Sequence, residues 1–160
     1  MLVIFEGLVM CFWLLLICVV GIADGPVGLV VFYEQDVQDR VVELGLTTPE
    51  RIKRTTLISG IALFLPVLTV VPAVVYFVNG AEGFWSAFGQ MTAIYLIMNL
   101  FDRFFIDWWW VGHTKAWLIP GTEDLMPYIP ARALLKKWVG SFIGFPLIAA
   151  LIAGVVSLLA

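Results

Sequence analysis

The chain has 160 residues, of which 62% are apolar and only 13% are charged, and its mean hydropathy is +1.02. A soluble domain is about 45–50% apolar and about 25% charged, so this composition excludes a water-soluble enzyme and a disordered regulator. The net charge of −3 leaves no basic surface that could neutralise phosphates, which excludes a nucleic-acid-binding protein.

Four long stretches of the sequence contain no Asp, Glu, Lys or Arg: residues 7–23, 55–81, 83–101 and 138–160. A helix needs about 20 mostly apolar residues to cross the hydrocarbon core of a bilayer, and the first stretch reaches this length when residues 2–6 are added. The pattern predicts an all-α integral membrane protein with four transmembrane helices in a single domain, residues 1–160. The predicted spans are about 2–23, 55–79, 83–106 and 134–159, and the predicted cytoplasmic segments are 24–54 and 107–133.

The positive charges predict the orientation of the spans. All nine lysines and arginines lie in or beside the two long connecting segments, and none lies in the short turn at 79–83. Because positively charged loops remain cytoplasmic, we expect both termini outside, in a protein of the cell membrane. No Lys or Arg precedes the first apolar stretch, so we expect it to remain as a helix rather than to be cleaved as a signal peptide.

An amphipathic cytoplasmic helix is predicted between spans one and two. Apolar residues recur there at steps of three and four, which is the spacing of one helix face: Val30, Tyr33, Val37, Val41 and Leu44. The opposite face is acidic, whereas helices that lie on a membrane surface are usually basic. We therefore expect the apolar face to pack against the second cytoplasmic segment or against a partner protein. Gly45 is a suitable end for this helix.

The second span begins with a recognisable signal and contains two helix breakers. Thr48 is predicted to cap the helix, with Pro49 at its first position. Pro66 and Pro72 each remove one backbone hydrogen bond, which frees the carbonyls of Ala62 and Leu68. Two interpretations remain open, because a broken helix can line a transport site and proline is also common in membrane helices as a simple kink.

A polar stripe on the third span carries the candidate functional residues. Four residues share one helical face at steps of three or four: Thr92, Tyr95, Asn99 and Asp102. Arg103 lies beside this face and is spaced to pair with Asp107, four residues later. Ionisable groups near the hydrocarbon edge are costly unless they are paired or face the interior, so we expect the stripe to face the bundle interior. The predicted binding or polar-cavity residues are Asn99, Asp102, Arg103, Asp107 and His113.

Three hypotheses compete for this cluster. In the structural one, Arg103 bridges Asp102 and Asp107, and the tryptophans at 108–110 lie in the interfacial aromatic belt. In the transport or binding one, Asn99 and Asp102 form the floor of a cytoplasm-facing cavity opposite the broken second span. In the enzymatic one, Asp102, Asp107 and His113 carry out acid–base chemistry at the membrane surface.

No motif in the sequence identifies a metal or a cofactor. The single histidine and the spacing of the carboxylates match no zinc signature, so no metal site is predicted. Dinucleotide-binding, P-loop and paired-histidine haem patterns do not occur, and the cofactor is left unassigned.

Two further segments bear on function. The proline-rich stretch 119–130 fits either a lid over the cavity or a plain interfacial connector, with Thr122 as the cap of a short helical turn. Gly140 and Gly144 form a pair of small residues at a spacing of four on the fourth span. Such a pair lets two helices approach closely, either within the chain or between copies.

These observations favour one function and leave one alternative. The chain is predicted to be a small polytopic membrane protein that binds or passes a small solute or lipid headgroup at its cytoplasmic side. It would act as an oligomer or as an accessory subunit of a larger membrane complex, with the lipid bilayer as its other partner and no nucleic acid. The alternative is a membrane-embedded enzyme with an interfacial site at Asp102, Asp107 and His113.

Overall fold

The computed structural model describes residues 1–159, and every regular element in that range is helical. The α-helices are α1 (Leu2–Gly21), α2 (Gln35–Glu43), α3 (Pro49–Leu68), α4 (Val70–Ala73), α5 (Gly83–Phe101) and α6 (Ala131–Leu159). Shorter 3₁₀ helices cover Pro26–Phe32, Lys115–Trp117 and Glu123–Leu125, and π-helical segments extend α4 over Val74–Val78 and α5 over Asp102–Val111. The all-α fold predicted from the sequence is confirmed.

Three helices are long and apolar enough to cross a membrane: Leu2–Gly21 with 20 residues, Pro49–Val78 with 30 and Ala131–Leu159 with 29. The remaining predicted span, 83–106, is not one of these three. It consists of α5 and the start of its π-helical extension, and polar side chains such as Gln90 and Asn99 lower its hydropathy.

Helix α5 is the central helix of the bundle. It packs mainly against α1 on one side and α6 on the other. Met91, Ile94 and Tyr95 of α5 are completely buried in the main core, which also takes residues from the helix Pro49–Val78. The polar stripe of α5 therefore faces the bundle interior, as predicted: Tyr95 and Asn99 are 0% and 1% exposed.

The two connecting segments form a second core beneath the bundle. Val37 and Val41 of α2 are 1% and 0% exposed and belong to a cluster with Trp117, Ile119 and Tyr128 of the second segment. The expectation that the apolar face of α2 packs against that segment is confirmed. The boundaries of α2 differ from those of the predicted amphipathic helix. Val30 lies in the 3₁₀ helix, Tyr33 ends that helix, and Leu44 is 45% exposed.

The helix that contains α3 and α4 starts and breaks where the sequence indicates. The Thr48 hydroxyl accepts from the Arg51 amide at 3.3 Å, which is the predicted cap. The helix is interrupted at Thr69, between the two prolines.

Side chains of neighbouring helices satisfy two backbone carbonyls near this break. The Ala62 carbonyl freed by Pro66 accepts from the Trp13 indole N–H at 3.0 Å, and the Val67 carbonyl accepts from the Tyr95 hydroxyl at 2.6 Å. These two hydrogen bonds from within the bundle stabilise the broken helix.

The tightest backbone approach of the fold predicts a sensitive position. A Cβ atom added at Gly28 would overlap the backbone carbonyl oxygen of Gly21, which cannot move aside as a flexible side chain would. We expect Gly28→Ala to lower the free energy of unfolding by about 1–3 kcal/mol, the usual cost of overpacking. Thermal unfolding of the purified chain in detergent measures this. Gly89→Ala is the control, because a Cβ there meets no atom within 4 Å; equal melting temperatures for the two variants would contradict the prediction.

Candidate functional site

A cavity of about 240 Å³ lies where the helical bundle meets the connecting segments. Its walls come from α1, α3, α5 with its π-helical extension, α6, and both connecting segments. Most of the wall is apolar and includes Leu14, Ile17, Leu63, Val67, Met98 and Phe145. One end is polar, because Asn99, Asp102, Arg103, Asp107 and Lys137 also line it. Four of the five predicted site residues therefore share one cavity.

The π-helical segment Asp102–Val111 explains why both carboxylates reach this cavity. Hydrogen bonds in a π-helix join residues five apart, so Asp102 and Asp107 fall near one face, whereas an α-helix would turn them well apart. Asp107 is consequently buried rather than directed outward, with a side chain that is 8% exposed.

Four charged side chains form a closed cluster at the polar end. Arg103 pairs with Asp102 at 2.7 Å and also with Asp107. Lys137, from the start of α6, reaches Asp107 at 3.5 Å. Two positive and two negative groups are thus held together, and their formal charges cancel. The ion pairing that the structural hypothesis predicts is present, and it borders the cavity that the binding hypothesis requires.

Asn99 is oriented by the same arginine. Its side-chain oxygen accepts from the Nε–H of Arg103 at 3.4 Å. Because a guanidinium only donates hydrogen bonds, this contact fixes which end of the amide faces Arg103. The Asn99 amide nitrogen is left buried, with no hydrogen-bond partner among residues 1–159.

Two further cavity residues share this property. The Tyr33 hydroxyl and the Trp117 indole nitrogen are buried and have no partner in the described part of the chain. Burial raises the pKa of Tyr33, so its hydroxyl keeps its proton and remains a donor. Tyr33 and Trp117 are 5% and 2% exposed, and Asn99 is 1% exposed. Three residues that line one cavity therefore each carry a buried donor without a partner.

His113 is the predicted site residue that the structure does not bring to the cavity. Its side chain is exposed, and it does not line the cavity. Its Nδ1 lies 2.6 Å from the Trp108 carbonyl oxygen, and its ring lies 4.8 Å from the Trp108 ring. These contacts fix the histidine at the end of the π-helical segment, apart from the buried carboxylates.

Three site residues are additional to those predicted: Lys137, Tyr33 and Trp117. The sequence indicates Lys137 only as one of the cations at the start of the fourth span. Tyr33 appears in the sequence only as a member of the predicted apolar helix face, and no sequence pattern singles out Trp117. All three have a long or aromatic side chain with a polar end. Such side chains are too frequent in the sequence to identify a site.

The second connecting segment closes one end of the cavity. Trp117 and Ile129 line the cavity, and the loop between them is held by a buried hydrogen-bond network. The Tyr128 hydroxyl accepts from the Ile119 amide at 2.9 Å and lies 2.6 Å from the Thr122 hydroxyl. Thr122 precedes the turn Glu123–Leu125 as predicted. Its hydroxyl, however, makes no capping bond and donates to the Ile119 carbonyl at 2.8 Å.

The two connecting segments are also joined by charge. Arg40 of α2 pairs with Asp124 at 3.3 Å, and its guanidinium donates to the Gly121 carbonyl at 3.4 Å. We call the joined segments, residues 26–43 and 114–130, the roof of the cavity.

Among residues 1–159, no group of three or more His, Cys, Asp and Glu side chains is placed to hold a metal ion. Both cysteines, Cys11 and Cys18, are buried free thiols. Comparisons with protein families, with curated proteins and with solved structures found no match to this chain.

The charge cluster predicts a large effect of removing its central cation. Arg103→Met leaves Asp102 without a counter-ion in the interior, and breaking a buried ion pair from one side costs about 3–5 kcal/mol. We expect a correspondingly large fall in the melting temperature of the purified chain in detergent. Arg132→Met is the matched control, because Arg132 is exposed and forms no ion pair within the described residues. Similar melting temperatures for the two variants would show that the cluster adds nothing to stability.

Proposed function

We propose that this protein crosses the membrane four times and binds a small solute or lipid headgroup in the cavity at its cytoplasmic side. The observation that carries the proposal is the cavity of about 240 Å³ with apolar walls and one polar, charge-balanced end. Ligand sites in proteins have this composition, with mostly apolar walls and a few placed polar groups that orient the ligand.

Binding is favoured over passage through the chain. A permeating solute would use backbone carbonyls freed by the broken helix, as in transporters with discontinuous helices. Here the Ala62 carbonyl, which Pro66 frees, already accepts from Trp13, and the nearby Val67 carbonyl accepts from Tyr95. The enzymatic alternative has no specific support, because the exposed His113 lies apart from the carboxylates with which it would act.

The fourth crossing is part of the proposal. Helix α5 is packed between α1 and α6, which are both long and apolar enough to span a membrane. A helix so enclosed has little contact with lipid, so it can carry polar side chains at membrane depth. The distribution of the nine positive charges supports an orientation with both termini outside the cell.

Impermeant labelling tests the topology. In intact cells that express the chain, we expect a membrane-impermeant maleimide to label Glu82→Cys, in the short turn before α5, and not Lys53→Cys, near the start of α3. Both positions are exposed, and the native Cys11 and Cys18 are buried, so background labelling is low. Lys53→Cys should react only after permeabilisation. Its labelling in intact cells would overturn the orientation.

We also propose that α6 associates with a second copy or with another membrane subunit. A Cβ built at Gly140 or Gly144 meets no atom within 4 Å, so packing within the chain leaves this small-residue face open. Small residues allow close helix approach in membranes, where packing contributes much of the association energy.

Filling the cavity tests the binding proposal. Ile17 lines the cavity, and its neighbour Leu16 is 42% exposed and does not. We expect at least one of three probes to bind the purified chain saturably in calorimetric titrations: dioctanoyl phosphatidic acid, dioctanoylglycerol or decylubiquinone. Ile17→Trp should weaken that binding about tenfold, because overpacking costs about 1–3 kcal/mol. Leu16→Trp should leave it unchanged. Failure of all three probes would contradict binding of a lipid headgroup, and equal binding by the two variants would contradict binding in this cavity.

A further inference from the structure

We infer that the ligand is an uncharged lipid whose head carries carbonyl or ether oxygens, and that it enters the cavity sideways from the bilayer. This inference rests on the proposed function and specifies the chemistry of the ligand. It is carried by three properties of the cavity: its unpartnered donors, its balanced charge and its apolar outer edge.

The unpartnered donors indicate what the head of the ligand must offer. Three residues that line the cavity each carry a buried polar atom with no partner among residues 1–159: the Asn99 amide nitrogen, the Tyr33 hydroxyl and the Trp117 indole nitrogen. The amide and indole nitrogens only donate, and the tyrosine hydroxyl keeps its proton. A buried donor without an acceptor loses the hydrogen bond that it makes to water, so a head rich in acceptor oxygens can replace that lost bond.

The balanced charge indicates that this head is neutral. Asp102 and Asp107 are matched by Arg103 and Lys137, and the Arg103 guanidinium is already engaged by both carboxylates. An anionic head would compete with those carboxylates for Arg103 and would bring an unbalanced negative charge into the interior. A cationic head would likewise bring an unbalanced positive charge into the interior. An uncharged head avoids both costs.

The outer edge of the cavity indicates the route and the body of the ligand. Phe64 of α3 lines the cavity and is also 51% exposed. Phe64 lies well inside the apolar helix Pro49–Val78, so this edge opens at hydrocarbon depth in the proposed topology. The opposite side is covered by the roof. A molecule that reaches the cavity from the lipid carries an apolar body, which suits the aliphatic and aromatic walls.

Two kinds of membrane lipid present this chemistry. An isoprenoid quinone has carbonyl oxygens on an uncharged ring with an apolar tail, and an acylglycerol has ester carbonyls on an uncharged backbone. Both accept hydrogen bonds, and neither carries a charge at neutral pH. Decylubiquinone and dioctanoylglycerol therefore serve as separate probes of the two sources, and dioctanoyl phosphatidic acid serves as the anionic counterpart of the second.

Two tyrosines provide a matched pair of variants. The hydroxyls of Tyr33 and Tyr76 are both buried without a partner in the described part of the chain, but only Tyr33 lines the cavity. Tyr33→Phe and Tyr76→Phe each remove one unpartnered oxygen, so both variants should fold. We expect Tyr33→Phe to weaken binding of the neutral probe about two- to tenfold, the effect of one lost hydrogen bond. Tyr76→Phe should bind as the unmodified chain does.

The calorimetric titrations of the purified full-length chain separate the outcomes. Binding of decylubiquinone or dioctanoylglycerol that is tighter than binding of dioctanoyl phosphatidic acid, and that depends on Tyr33 but not on Tyr76, supports the inference and identifies the source. If phosphatidic acid binds as tightly as the neutral probes and Ile17→Trp weakens that binding, the cavity binds a ligand but the inference is wrong. Identical titrations of Tyr33→Phe and Tyr76→Phe would mean that the Tyr33 hydroxyl does not contact the head, which also overturns it. If no probe binds, the proposed function fails as well.

Discussion

The polar end of this protein depends on the position of one guanidinium. Arg103 neutralises Asp102 and Asp107 in the interior and fixes the amide of Asn99, while Lys137 supplies the second positive charge. Buried carboxylates are tolerated only when they are paired, so the π-helical end of α5 and the first turns of α6 are held in register by these contacts. The cavity is the space that remains between the cluster and the apolar walls.

Much of the fold could be predicted from the sequence, because its strongest signals are local. Charge-free stretches of helical length predict the helices, and Thr48 with Pro49 predicts the start of α3. The π-helical segment Asp102–Val111 could not be predicted, because hydropathy does not distinguish a period of 3.6 residues from a wider turn over ten residues. The division between the 3₁₀ helix and α2 was missed for a similar reason, since apolar spacing continues across the break at Tyr33.

The candidate site was predictable only where its members lie on one helix. Asn99, Asp102, Arg103 and Asp107 are close in sequence, and the cost of burying ionisable groups directs attention to them. Tyr33, Trp117 and Lys137 join the site through contacts between distant segments, which no local pattern encodes. The position of His113 could not be predicted from the sequence either. It follows Asp107 closely in the chain, but the end of the π-helical segment leaves it exposed.

The contacts that join the two segments of the roof affect how fast a bound molecule can leave the cavity. Val41 and Ile119 share one core, and Arg40 pairs with Asp124 across the two segments. Segments fastened by both packing and charge open as a single cooperative unit rather than residue by residue. Backbone amides of α2 and of the loop around Tyr128 would then exchange with solvent through one common opening event. A molecule held beneath them would leave no faster towards the water than that event allows, so its residence time would be set by the stability of two short segments far apart in the chain.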